Sequence, residues 1–252
     1  MKNFPITEQL YLKSKPIDKL KICEGLDLMT NEHANAAEAV RENLPTIKRT
    51  VEQIIYLLKK TKKSRLIYVG AGTSGRIGVQ DGVELYPTFG WPSERVEFII
   101  PGGNEALIKP IENAEDNIDN VLEIINEIEI NKNDVVFGIA ASGNTPFTCK
   151  ILELSKVKNA FTIAISNNPK GKILRFGDIN IILNTKEEII AGSTRLKAGT
   201  AQKACLNIIS SMVMIKFGFV KHGMMNNMIP LNKKLKKRKK MIDEYYSSLN
   251  LL

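Results

Sequence analysis

Five short, nearly uninterrupted apolar runs constrain this chain more than any other feature. They cover residues 65–69, 96–100, 135–140, 161–166 and 179–183. The runs do not alternate with polar residues, which is typical of parallel strands that are buried on both faces. Segments long enough for helices separate them, as in βαβ units. The pattern predicts an α/β fold: a three-layer αβα sandwich around a five-stranded parallel sheet.

Helical spacing of apolar residues predicts the elements that surround this sheet. Predicted helices cover residues 45–60, 105–128, 147–157, 199–217 and 231–246. The helix at 199–217 carries apolar residues over a wide surface, which indicates a core helix or an oligomer interface. We therefore divide the chain into an N-terminal helical segment (1–60) packing on the core, a ligand-binding core (61–220) and a basic helical tail (221–252).

Composition narrows the class of protein. The 252 residues and 43% hydrophobic content fit one domain with helical additions. No apolar run approaches the ~20 residues that cross a bilayer, and no signal peptide follows Met1. The three cysteines form no C-x-x-C pair and the two histidines are isolated, so we expect reduced thiols, no metal site and a cytoplasmic protein.

The net charge of +9 first suggests a nucleic-acid partner. Much of the excess lies in one run, Lys233 to Lys240, which no aromatic residue interrupts. A stacking platform for bases is therefore missing, and we interpret the run as a solvated helix. We expect neither a nucleic acid nor a membrane as partner, although a basic surface attracts an anionic sugar phosphate.

Two loops follow strands of the predicted sheet and share one composition. Gly70-Ala71-Gly72-Thr73-Ser74-Gly75 combines glycines, which let backbone amides approach a ligand, with hydroxyl donors. Alone it fits a phosphate site and a plain tight turn about equally. Ala141-Ser142-Gly143-Asn144-Thr145-Pro146 repeats the pattern, although Ser142 or Thr145 could simply cap a helix. Both loops lie at the carboxyl edge of the sheet, where ligands bind, which favours one shared anion site.

A third loop and several acidic residues remain ambiguous. Residues 191–203 place the hydroxyls of Ser193 and Thr194 near the cation of Lys197, as an anion site or a capped helix start would. The acidic residues are Glu84, Glu112, Glu115 and Asp116. Spacing alone makes none of them catalytic, since exposed acids on helices are ordinary.

Taken together, these segments resemble the N-acetylmuramic acid 6-phosphate etherase family, which has the sugar isomerase (SIS) fold. The resemblance begins at Ile6-Thr7-Glu8-Gln9 and reaches about Leu235. Its specific parts are residues 66–76, the Glu84 segment, 112–116, 136–146 and 192–203. Several matches in order are far more specific than any single glycine loop.

The resemblance implies a lyase that splits the D-lactyl ether at carbon 3 of N-acetylmuramic acid 6-phosphate, without a metal or redox cofactor. It assigns Glu84 as the acid that protonates the leaving oxygen and Glu115 as the base at carbon 2. Family likeness also implies a homodimer with sites near the interface. The predicted binding residues are Gly72, Thr73, Ser74, Ser142, Gly143, Asn144, Thr145, Ser193, Thr194 and Lys197.

Two other functions suit the same fold. A non-catalytic sugar-phosphate sensor is one, since regulatory proteins share this fold and Asn144 stands where the family usually has arginine. An aldose–ketose phosphate isomerase with the same base at carbon 2 is the other.

Overall fold

The computed structural model describes residues 4–248, and its centre is a sheet of five parallel strands between two layers of helices. The strands are β1 (Leu66–Gly70), β2 (Val96–Ile99), β3 (Val135–Ala140), β4 (Phe161–Ser166) and β5 (Ile179–Ile182). Each begins and ends within one residue of a predicted apolar run. The predicted αβα sandwich is therefore confirmed.

Eight α-helices occur between residues 4 and 248. They are α1 (Ile22–Arg41), α2 (Leu44–Lys60), α3 (Gly72–Val83), α4 (Leu85–Phe89), α5 (Val121–Glu127), α6 (Pro146–Val157), α7 (Lys197–Lys216) and α8 (Lys233–Ser248). A short hairpin precedes α8. Its two antiparallel strands, β6 (Val220–Lys221) and β7 (Met224–Met225), have two residues each. Within that same span, no helix combines the length and apolarity needed to cross a bilayer.

The strand order is β2-β1-β3-β4-β5, so β1 lies between β2 and β3. From β1 the chain runs to β2 at one edge of the sheet. It then crosses back, and β3 pairs with the other side of β1. Gly70 at the end of β1 pairs with Ile139 of β3, which brings the loops after these two strands together. This reversal is the switch point at which doubly wound sheets bind ligands.

Alternate residues of the strands point to opposite faces of the sheet, and their side chains pack into two separate hydrophobic cores. Tyr68, Phe137 and Ile165 join the core formed with α1, α2 and α7. Ile67 and Val136 join the second core, which includes residues of α5 and α6. Helices α1 and α2 thus pack into the same hydrophobic core as residues 61–220. The division of the chain into three segments stays a prediction. Its outer ends, residues 1–3 and 249–252, lie outside the described residues.

The prediction of one continuous helix over residues 105–128 is wrong. A 3₁₀ turn covers Gly103–Leu107, turns follow, and α5 begins only at Val121. Pro110 lacks an N–H and disfavours helical backbone in the residue before it. Asn113 then has a positive φ of 56°, which an α-helix does not allow. Glu112, Glu115 and Asp116 consequently lie on turns, where their backbone can approach the cleft described below.

Candidate active site

A cleft of about 430 Å³ lies at the switch point, beyond the carboxyl ends of β1 and β3. Three loops, the turn at residues 115–116 and the N-terminal segment form its walls. It is lined by Pro5, Glu8, Ala71, Gly72, Thr73, Ser74, Glu115, Asp116, Ala141, Ser142, Asn144, Thr145, Pro146, Gly192 and Thr194. The predicted proximity of the first two loops is thus observed, and the third loop joins them.

The loop after β1 holds the start of α3 against the end of the strand. A Cβ on Gly75 would lie 2.4 Å from the carbonyl oxygen of Gly70, so this approach requires glycine. Gly72 has a φ of +52°, and a Cβ there would meet no atom within 4 Å because it faces open space. The first-turn N–H groups of α3, at Gly72, Thr73 and Ser74, have no helical acceptors. Together with the two hydroxyls, these N–H groups make a helix start of the kind that favours an anion.

Glycine at position 143 lets the loop after β3 fold tightly. Its φ is +69°, and a Cβ would come within 2.5 Å of neighbouring atoms. The Ser142 hydroxyl accepts the Asn144 N–H at 3.1 Å, and the Asn144 side-chain oxygen accepts the Lys172 N–H at 3.0 Å. The Asn144 side chain therefore braces the loop. Gly143 itself shapes the wall without lining the cleft.

Helix α6 opens towards the cleft with an unused hydroxyl. Thr145 occupies the N-cap position, yet its side chain makes no capping hydrogen bond. Pro146 follows at the first helical position, where a missing N–H costs nothing. The Thr145 hydroxyl lines the cleft and is available to a ligand. The Thr145 side chain therefore does not act as the cap of this helix.

The start of α7, in contrast, is already occupied by a protein anion. One carboxylate oxygen of Glu188 accepts the Lys197 N–H at 3.2 Å, and the other accepts the Ala198 N–H at 2.8 Å. Burial raises the pKa of Glu188, although these two bonds oppose the rise. Because Glu188 takes the free N–H groups of α7, and Pro146 and the bonded Phe147 leave α6 little to offer, the start of α3 is the open helix start among the described residues that line the cleft.

The third loop contributes Gly192 and Thr194 to the cleft lining, but not Ser193 or Lys197. The Lys197 side chain is buried and forms an ion pair with Glu32 of α1. Glu32 also accepts a hydrogen bond from the Tyr11 hydroxyl at 3.1 Å. Lys197, predicted as a substrate ligand, therefore ties α7 to α1. The sequence predicted Lys197 as a substrate ligand because its distant partner, Glu32, cannot be read from the local pattern.

Glu115 reaches the cleft because the turn that carries it is fixed to α6. The Phe147 N–H, in the first turn of α6, donates to the Glu115 carbonyl oxygen at 3.1 Å. The Asp116 N–H donates to the Asn113 carbonyl oxygen at 3.2 Å, which closes the turn at the positive-φ residue. Glu115 and Asp116 consequently both line the cleft.

Glu84, the other predicted catalytic carboxylate, does not line this cleft. It is exposed and follows the last residue of α3, whereas the cleft lies at the first. The 12 residues of α3 span about 18 Å. Glu84 and Glu115 of one chain are therefore not brought to the same cleft wall.

A buried carboxylate fixes α3 against α7 near its Glu84 end. Asp81 accepts hydrogen bonds from the Tyr68 hydroxyl (2.9 Å), the Asn207 amide (2.6 Å) and the Ser210 hydroxyl (3.0 Å). Burial raises the pKa of Asp81 above its ordinary value, although these donors oppose the rise. The cluster anchors the C-terminal half of α3, and hence the backbone that presents Glu84.

The charges around the cleft are unusual for a phosphate site. Its lining includes the carboxylates of Glu8, Glu115 and Asp116, and no Lys or Arg from residues 4–248. No group of three or more His, Cys, Asp or Glu within that span has metal-binding geometry. A phosphate here would depend on helix N–H groups and hydroxyls.

Sequence reasoning gave Glu8 no role; its only signal was its place in the segment 6–9 that opens the family resemblance.

The five-stranded parallel sheet and its switch-point cleft define the class: this is a SIS-domain protein. The SIS domain family matches residues 124–212, and the glucokinase regulatory protein N-terminal SIS domain family matches residues 48–156. A structure from Bacteroides fragilis, assigned as a phosphosugar isomerase involved in capsule formation, is 20% identical with a TM-score of 0.59. That alignment covers 86% of this chain and 97% of the other.

A second structure with this fold is the Vibrio vulnificus NanR protein complexed with ManNAc-6P. It is 11% identical, with a TM-score of 0.56 over 92% of this chain and 71% of that one. The N-acetylmuramic acid 6-phosphate etherase of Psychromonas ingrahamii is far nearer in sequence, at 42% identity over 94% of this chain and 79% of its own length. The chain belongs to the N-acetylmuramic acid 6-phosphate etherase family.

Proposed function

We propose that this chain is a carbon–oxygen lyase that cleaves the D-lactyl ether of N-acetylmuramic acid 6-phosphate, giving N-acetylglucosamine 6-phosphate and D-lactate. Membership of the etherase family supports the proposal. The observation that carries it is the position of Glu115, in one cleft with the open start of α3 and with Thr145. A base and an anion cradle thus face the same space.

The phosphate is the anchor in this proposal. First-turn N–H groups of α3 and the hydroxyls of Thr73, Ser74 and Thr145 hold it at the switch point. A fixed phosphate orients the sugar carbons relative to Glu115, which removes entropy before the reaction begins. The predicted phosphate-binding roles of these residues are part of the proposal.

Glu115 acts as the base on the open-chain aldehyde. The aldehyde acidifies the proton on carbon 2, so a carboxylate can remove it. The electron pair forms the carbon 2–carbon 3 double bond, and the carbon 3–oxygen bond breaks. A second acid protonates the departing lactate oxygen. Water then adds to the unsaturated aldehyde, its hydroxyl at carbon 3 and a proton at carbon 2.

The second acid is Glu84 of another copy of the chain. Glu84 lies away from the cleft of its own chain, so a role beside Glu115 requires a homodimer that inserts it into the partner's site. Exposed Ile208, Met212 and Ile215 form an apolar stripe on α7, the helix that packs on the Glu84 end of α3. Burial of this stripe would stabilise such a dimer.

A sugar-phosphate sensor is the second candidate, supported by the match to the glucokinase regulatory protein domain and by the fold shared with NanR. Catalysis needs Glu84 and Glu115, whereas sensing needs only the phosphate cradle.

The cytoplasmic location stays a prediction, drawn from the cysteine pattern.

Incubation with N-acetylmuramic acid 6-phosphate tests the choice. We expect stoichiometric D-lactate and N-acetylglucosamine 6-phosphate. Ligand-induced thermal stabilisation without lactate would reject the lyase and favour the sensor. Solvent deuterium at carbon 2 without lactate release would instead indicate the isomerase.

A further inference from the structure

The N-terminal segment Pro5–Glu8 forms a wall of the cleft that the proposed mechanism does not use. Ile6–Glu8 is a 3₁₀ turn, and both Pro5 and Glu8 line the cleft. The Gly192 N–H donates to the carbonyl oxygen of Thr7 at 3.0 Å, and the Thr7 side chain is fully buried. The turn therefore sits in a fixed place against the third loop and presents Glu8 to the cleft.

Position 192 is shaped to receive the Glu8 carboxylate. Gly192 has a φ of +75°, and a Cβ on it would lie 2.6 Å from the Glu8 Oε2 atom. Any side chain at position 192 would be strained and would displace this carboxylate. The glycine and the glutamate thus form one unit, which no requirement of the phosphate cradle explains.

The chemistry of the wall sets what Glu8 can bind. The start of α7 beside it is closed by Glu188, so this side of the cleft has no free helix N–H groups for an anion. An exposed carboxylate repels phosphate but accepts strong hydrogen bonds from hydroxyl and amide N–H donors. A sugar phosphate carries both kinds of group, with the phosphate at one end and the donors at the other.

We propose that Glu8 is a specificity-determining residue, which accepts hydrogen bonds from the hydroxyl or amide groups of the bound sugar and disfavours small anions without them. The inference rests on the proposed function, since it takes the cleft as a sugar-phosphate site. Phosphate at the start of α3 and hydroxyl or amide donors on Glu8 together orient the sugar in the cleft that Glu115 also lines.

Two ligands separate this role from a structural one. Calorimetry measures the affinity of inorganic phosphate, which has no sugar, and of N-acetylglucosamine 6-phosphate. In Glu8→Ala we expect the sugar phosphate to bind about 10- to 100-fold more weakly, as for a lost hydrogen bond to a charged group. Inorganic phosphate should bind as in the wild type or more tightly, because a negative charge is gone. Glu127→Gln, an exposed change on α5, is the matched control and should alter neither affinity.

Gly192→Ala provides an independent variant, since the added methyl group occupies the space of the Glu8 carboxylate. It should show the same selective loss. If Glu8→Ala bound both ligands equally more weakly, or bound the sugar phosphate as the wild type does, the inference about Glu8 would be overturned while the proposed function would stand. Loss of turnover in Glu8→Gln with unchanged affinity would also overturn it, because Glu8 would then be catalytic. A wild type that binds phosphate but no sugar phosphate would overturn the proposed function as well.

Discussion

Glu115 lines the cleft at the start of α3, and Glu84 lies exposed beyond the end of the same helix. The two carboxylates are thus separated by the length of α3. A single chain supplies the phosphate cradle and one acidic group for elimination chemistry, while the other acidic group faces outward. This arrangement makes the two residues separable by experiment.

Removal of the Glu115 charge should stop turnover without preventing binding. Glu115→Gln keeps the shape of the side chain and the backbone bond to Phe147, which does not involve the carboxylate. Loss of a general base reduces turnover about 100- to 10,000-fold. D-lactate release measures the first effect and calorimetry with N-acetylglucosamine 6-phosphate the second. Glu123→Gln, an exposed change on α5, is the control; full activity in Glu115→Gln would contradict the assigned base.

The two glycines of the first loop should respond differently to alanine. Gly75→Ala places a methyl group against the Gly70 carbonyl oxygen, so we expect a loss of about 2–3 kcal/mol in the free energy of unfolding. Gly72→Ala meets no protein atom, and only its positive φ costs stability, about 1 kcal/mol. Its methyl group enters the cleft, however, and should weaken phosphate binding.

Urea unfolding and phosphate calorimetry on both variants check this contrast. If Gly72→Ala binds phosphate as the wild type does, the start of α3 is not the phosphate cradle. If Gly75→Ala is as stable as the wild type, the close contact between strand and helix is not needed.

The strands and the binding loops could be predicted because their signals are local. Continuous apolar runs follow from burial on both faces, and a glycine loop after a strand follows from the approach of backbone to anion. The helix predicted over 105–128 does not form as one element, because Pro110 has no N–H and interrupts it despite the helical spacing of the apolar residues. Proline therefore outweighs periodicity here.

The rest of the site depends on contacts between distant residues. Lys197 has the charge of a phosphate ligand, but its partner Glu32 lies 165 residues away in sequence. Glu8 meets Gly192 only after the sheet has formed. No local pattern encodes either contact. The family resemblance supplied roles for Glu84 and Glu115, but not the distance along α3 that separates them.

Asp81 should make stability depend on pH in an identifiable way. Burial raises its pKa above 3.8 in the folded chain, so the folded state holds its proton to higher pH than the unfolded state does. The contribution of Asp81 to the free energy of unfolding therefore falls as pH rises from about 3.8 through the pKa of Asp81 in the folded chain. Asp81→Asn cannot titrate, so the stability of the wild type relative to this variant should decrease over that window. Urea unfolding from about pH 4 to 7 measures the difference. A difference between the wild type and Asp81→Asn that does not change with pH would contradict the raised pKa of Asp81.

Mixed dimers test whether Glu84 acts on the partner's substrate. Glu84→Gln and Glu115→Gln should each be inactive alone. In a 1:1 mixture allowed to exchange subunits, half of the dimers contain one chain of each kind. If Glu84 crosses the interface, one of the two sites in such a dimer combines an intact Glu84 with an intact Glu115. The mixture should then recover about a quarter of wild-type D-lactate release. If both residues served the site of their own chain, every site would lack one of them and no activity would return. Sedimentation of the mixture as a dimer is the necessary control, because recovered activity has this meaning only if two chains share a particle.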